Sequence, residues 1–143
     1  MNTREILNEL AKLFSNFIMH KRFIKELKDL LSTKLRGKEA SFFDCLATQL
    51  RNIKDFGVLV DRTDKNEKIK GFDGHYYSIH LQKSQFNVRL LVYINDDSTP
   101  FFLCAFYEEE GKKRTSYSHY TSTLETRYNE LLGGGEDERQ HQV

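Results

Sequence analysis

The sequence predicts an α+β fold in which N-terminal helices pack on a small antiparallel sheet of three to four strands, closed by a C-terminal helix. Two observations carry this. Apolar residues recur every three to four positions up to Lys54 and again after Ser116, but at every second position between Tyr76 and Tyr107. The linkers between the alternating runs are short, which suits antiparallel hairpins.

Ile6, Leu10, Leu13, Phe17, Ile24, Leu27 and Leu31 follow helical spacing, so most of residues 3–31 reads as amphipathic helix. An alternative stays open, in which Phe17-Ile18-Met19 is a short strand ahead of a helix beginning near Arg22. A second helix is expected from Glu39 to Lys54, with Phe42, Phe43, Leu46, Leu50 and Ile53 on one face and Gly37 and Gly57 outside its ends. The two helices are expected to pair through these stripes. Val58 to Val60 reads as a short edge strand, and Asp61 to Lys70 as a charged loop before a turn flanked by Gly71 and Gly74.

Tyr76 to Gln82, Phe86 to Ile94 and Pro100 to Tyr107 are strands rich in β-branched and aromatic residues, and a meander is their economical topology. From Ser116, the series Tyr117, Tyr120, Leu124, Tyr128 and Leu131 gives a helix to about Leu132. Gly133-Gly134-Gly135 ends it, and the polar remainder, 133–143, is expected to be a disordered tail. One domain covers 1–132, with residues 1–20 a helical extension whose packing the pattern leaves open.

At 143 residues, 38% hydrophobic and 30% charged, the composition fits a soluble single-domain protein. No stretch approaches the ~20 consecutive apolar residues of a bilayer span, and Arg4, Glu5 and Glu9 interrupt what would be a signal-peptide core. The expectation is a cytoplasmic protein with no membrane contact. Cys45 and Cys104 each sit among apolar neighbours without metal-finger spacing, and read as buried free thiols. The net charge of +1 hides a basic segment: His20 to Lys54 holds nine Lys or Arg against four acids. That segment suits an anionic partner, and it equally suits a solvated helix surface.

Alternation in Phe86 to Ile94 puts Val88, Leu90 and Val92 on one face and Asn87, Arg89, Leu91 and Tyr93 on the other. The preceding strand divides into Tyr77, Ile79, Leu81 and Tyr76, Ser78, His80, Gln82. If the polar sets face the same way, Arg89 meets His80 and Ser78 on a concave face that can also collect Lys70 and one of Lys112, Lys113 and Arg114. A guanidinium fork suits phosphate, a lysine adds a point charge, and an imidazole exchanges a proton near neutral pH. Those parts suffice to cleave RNA without a metal: a base takes the 2′-hydroxyl proton, cations stabilise the phosphorane-like state, and an acid protonates the leaving oxygen. The competing reading is an ion-paired or solvated strand arginine. His75 and His80 fall on opposite faces, which argues against a shared metal, and His119 reads as solvated. Glu108-Glu109-Glu110 reads as an acidic turn or as paired carboxylates.

The segments "KIKGFDGHYYSIHL" and "NVRLLVYIND" resemble the centre of the RelE/HigB superfamily of bacterial toxins, where a Leu-Lys-Gly-like loop leads to a Tyr-x-Ile-x-Leu and Tyr-Arg-Leu-Val-Tyr hairpin. "FFLCAFYEEEGKKR" is similar to the following strand, although Glu108 to Glu110 stands where Lys-Lys is usual. The resemblance covers roughly residues 50–132. It implies the toxin of a type II toxin-antitoxin module: an mRNA interferase that cuts mRNA on the ribosome without metal or cofactor and is silenced by a cognate antitoxin protein. Carried onto this chain, it implies Arg89 as phosphate clamp, His80 and Tyr120 as acid/base groups and Lys113 as a second catalytic cation. Lys68, Lys70, Ser78, Lys112 and Arg114 would be RNA contacts. Two alternatives remain, a non-catalytic gyrase inhibitor of the ParE kind and a non-toxic plasmid or phage interaction module.

Overall fold

Period-2 alternation sorts the hairpin side chains onto two faces, and each face buries its own apolar cluster. The computed structural model describes residues 3–13, 16–70, 74–109, 117–133 and 139–140. Along the chain these form α1 (Thr3–Leu13), β1 (Ile18–His20), α2 (Lys21–Ser32), α3 (Glu39–Phe56), a 3-10 turn (Gly57–Arg62) and β2 (Glu67–Lys68). They continue as β3 (Tyr76–Lys83), β4 (Phe86–Ile94), β5 (Pro100–Tyr107), a 3-10 turn (Tyr117–Tyr120), α4 (Thr121–Gly133) and β6 (Arg139–Gln140).

The fold is α+β, and β3-β4-β5 is the expected antiparallel meander. The sheet is larger than expected and mixed, running β2-β3-β4-β5-β1 with the two-residue β6 at its end. The added members are short. β1 pairs with β5 in parallel, Ile18 opposite Phe101 and Met19 opposite Phe102. The continuous helix over 3–31 is therefore replaced by the strand alternative. His20 enforces the break, because its Nδ1 accepts the Arg22 N–H at 3.0 Å and so caps a new helix. Arg139–Gln140, inside the expected disordered tail, pairs with β1.

On one face, Tyr77, Ile79, Leu81, Val88, Leu90 and Val92 lie under Phe23, Leu27, Phe42, Leu46 and Ile53 of α2 and α3. The helical stripes thus face the sheet, α2 over β5 and β1, α3 over β3, where helix-to-helix pairing was expected. On the other face, Tyr76, Leu91, Phe101, Leu103 and Cys104 meet Leu124 and Leu131 of α4. A stacked pair, Tyr93 and Tyr128 at 4.0 Å, anchors that helix.

β1 ends before β5 does, so Leu103 and Ala105 reach an edge with no strand beside them. Side chains close it. The Ala105 N–H donates to Glu26 Oε1 at 3.1 Å, and Arg127 Nη1 donates to the Leu103 carbonyl at 2.7 Å. Arg127 and Glu26 form a two-pronged ion pair, both contacts at 2.9 Å, which ties α4 to α2 around the sheet edge.

Val58 to Val60, expected as an edge strand, lies in the 3-10 turn after α3. The reason is Gly57, whose φ of 52° reverses the chain, and the Tyr77 hydroxyl then donates to the Val58 carbonyl at 2.7 Å. A Cβ on Gly57 would lie 2.9 Å from Ser98 Cβ and closer still to its Oγ. We expect Gly57→Ala to cost about 2 kcal/mol, because it adds both a left-handed backbone penalty and a clash. A urea midpoint unchanged from wild type would refute this account of the corner.

Candidate functional site

Cross-strand register sets the site. His80 and Arg89 are direct partners across β3 and β4, and Arg89 is in turn opposite Phe106 on β5. Both residues are buried, His80 at 8% exposure and Arg89 at 9%. They form part of the wall of a cleft of about 490 Å³ lined by Lys65, His80, Gln82, Asn87, Arg89, Glu108 and Glu109.

Each side chain meets a carboxylate. His80 Nε2 lies 3.3 Å from Glu67 Oε1, and Arg89 Nε lies 3.9 Å from Glu108 Oε2. Arg89 Nη1 also donates to Asn87 Oδ1. The same Glu67 oxygen accepts from the Tyr117 hydroxyl at 2.6 Å, and that hydroxyl also contacts Ser78 Oγ at 2.8 Å. Burial and the neighbouring Glu67 carboxylate push the Tyr117 hydroxyl up to about 12, so it stays protonated.

The backbone of His80 is fixed as firmly as its ring is surrounded. β2 begins only at Glu67, opposite Ser78, so the His80 peptide faces an uncovered edge of β3. Its N–H donates to Asn66 Oδ1 at 2.9 Å and its carbonyl accepts from Gln49 Nε2 at 2.8 Å. Asn66 Nδ2 donates to Gln49 Oε1 at 2.7 Å, and both amides are buried. This network determines where the imidazole stands.

The other sequence-predicted residues scatter. Ser78, expected as an RNA contact, is fully buried beneath Tyr117. Tyr120 stacks on Phe106 at 4.7 Å, and burial, with the charges of Cys104, Glu26 and Glu108, pushes its hydroxyl up to about 12. Lys68 pairs with Tyr77 and so points to the opposite face from Glu67. Lys70 follows Ile69, whose N–H donates to the Tyr76 carbonyl, and is exposed about 13 Å along the strand from His80. Lys112, Lys113 and Arg114 lie outside the described residues. The concave open face expected around Arg89 is instead covered by the C-terminal elements, leaving the cleft at one end of the hairpin.

Glu67, Lys65, Asn87 and Tyr117 were not singled out from sequence for these contacts. Glu67 falls in a two-residue strand inside a charged loop, too short to show a period. Glu108 did carry a signal, since continuing the alternation of β5 past Phe106 puts it on the Arg89 face, and its N–H donates to the Asn87 carbonyl. Among the described residues no group of three His, Cys, Asp or Glu could hold a metal, and no helix is long and apolar enough to cross a membrane. Cys45 and Cys104 are free thiols, half-buried and buried, and burial pushes Cys104 up to about 12.

No protein-family model, no curated protein and no solved structure matches this chain.

Burial also pushes Tyr76 and Tyr77 up to about 12, so with Tyr117 and Tyr120 four phenols hold protons that the unfolded chain releases near 10. Raised values in the folded state mean stability is lost as pH climbs from 10 through about 12. At about pH 11 the native protein should show far less tyrosinate absorbance than the same chain in denaturant. Equal absorbance in the two states would show these hydroxyls to be accessible.

Proposed function

We propose that this chain is a metal-independent endoribonuclease of the RelE/HigB toxin kind, acting on mRNA at the ribosome and restrained by a cognate antitoxin. The observation that carries the reading is the direct pairing of His80 with Arg89 on a cleft wall, within the hairpin that resembles those toxins. Arg89 engages the scissile phosphate and, with the exposed Lys65 at the cleft rim, offsets the charge gathered in the phosphorane-like state. His80 accepts the 2′-hydroxyl proton, oriented by the Glu67 carboxylate beside it and by the amide clamp on its peptide. Tyr120 is not part of the cleft wall but stacks on Phe106, the strand partner of Arg89, and keeps its proton, so the resemblance makes it the candidate donor to the leaving 5′-oxygen.

One observation favours a second reading. Arg89 is already engaged by Asn87 and Glu108, while Phe56 and Leu59 expose apolar surface at 49% and 45%, which suits a protein that acts by binding, as a gyrase inhibitor or interaction module does.

Pulsed expression followed by primer extension on a translated reporter mRNA separates the readings. Wild type should give codon-phased cuts, and Arg89→Ala should reduce them by about 100-fold at equal protein level. His80→Gln, which keeps the guanidinium and its carboxylate in place, should do the same. Cuts that persist in both variants would sink the nuclease assignment, and growth arrest with intact mRNA would select the binding reading.

A further inference from the structure

The 3-10 turn after α3 sorts its residues into rows, because side chains three apart eclipse in such a turn. Gly57 and Val60 form the buried row, Val58 and Asp61 a second, and Leu59 and Arg62 the outward one. Phe56, three residues ahead of Leu59 at the end of α3, is exposed at 49%, beside Leu59 at 45%. The corner is braced from both sides, by Ser98 packed on Gly57 and by the Tyr77 hydroxyl donating to the Val58 carbonyl at 2.7 Å. Charge brackets the apolar pair: Lys54 and Asp55 stand before it, Asp61 and Arg62 after it, and all four are exposed. Among the described residues, Asp55, Asp61 and Arg62 have no ion-pair partner. None of these residues lines the cleft beside Arg89, so the surface is separate from the anion site.

We infer that this corner is a homodimer interface, in which the ridge of Phe56 and Leu59 crosses that of a second copy antiparallel and Arg62 of each copy meets Asp55 of the other. A two-fold contact sets one surface against itself, so it needs both signs of charge within a single patch. The antiparallel crossing supplies the match. It brings the end carrying Lys54 and Asp55 onto the end carrying Asp61 and Arg62, so that Asp55 meets Arg62 and Lys54 meets Asp61. A partner of one charge sign, such as a nucleic acid, would meet a like charge at each end of the same ridge. The braced corner loses little freedom on docking, which favours association through a small apolar centre. With two large apolar side chains from each copy, the contact buries less than about 1,200 Å² in total, the range of transient association.

Sedimentation equilibrium on the full chain tests this. Wild type should follow a monomer-dimer equilibrium with a Kd on the order of 100 μM. Leu59→Glu should remain monomeric. Asp55→Arg and Arg62→Asp should each weaken the dimer about tenfold, since every reversal acts twice in a two-fold contact, and the double variant should recover wild-type affinity. Urea midpoints report whether each fold is intact, and should Leu59→Glu lower its midpoint, the charge-reversal set decides alone. A chain that stays monomeric at about 1 mM, a dimer that persists in a folded Leu59→Glu, or a double variant no tighter than the single ones overturns the interface.

Discussion

A buried backbone N–H or C=O without a partner costs as much as several ordinary contacts contribute, and this sheet has two edges where that cost would arise. β1 is three residues long and β2 is two, while β3 and β5 between them have eight each. Short edge strands avoid an open template for pairing with other chains, but they uncover the strands they should flank. The molecule resolves this with side chains borrowed from helices. Glu26 and Arg127 close β5, while Gln49 of α3, with Asn66 from the loop before β2, closes β3. The same groups also set the layer geometry, since each joins a sheet edge to an element outside the sheet.

Two arginines are buried to nearly the same degree, Arg127 at 8% exposure and Arg89 at 9%, but they are not equivalent. Arg127 has two carboxylate contacts at 2.9 Å and a carbonyl at 2.7 Å, a geometry that offsets the desolvation of a guanidinium. Arg89 has one amide oxygen, a carboxylate at 3.9 Å and a carbonyl at 3.5 Å, and it borders a cleft. An incompletely matched buried cation facing an opening is the stronger candidate for binding an anion. Strand alternation singled out Arg89, whereas no local pattern marked Arg127 as the side chain that closes the β5 edge.

The meander was legible because its alternation is regular: all three long strands begin where predicted, and two end there, with β3 running one residue further, to Lys83. α3 was legible for the same reason at the helical period. What periodicity could not show were elements shorter than a period. β1 hides inside a run of apolar residues that also satisfies helical spacing, and what makes it a strand, the pairing with distant β5 and the His20 cap, is invisible to that spacing. In the site, the strand partners His80 and Arg89 followed from alternation, whereas Glu67 and Tyr117 came from an irregular loop and a 3-10 turn. Their positions depend on contacts made far along the chain, and no local pattern encodes those.

Tyr117 connects the edge of the sheet to its centre. Its hydroxyl bridges Glu67 and Ser78, and Glu67 in turn meets His80. The 3-10 turn carrying Tyr117 leads directly into α4, and α4 is held by the Arg127–Glu26 pair, by His20 on Glu130 at 3.1 Å and by the Tyr93–Tyr128 stack. A helix loosened at any of these anchors would carry Tyr117 away from Glu67 and leave that carboxylate free to turn from the imidazole. The geometry of His80 therefore depends on an ion pair at the far edge of β5, through one continuous element. α4 thus adds polar anchors to the apolar burial of Leu124 and Leu131, and the polar anchors are the ones that fix its position along the sheet edge.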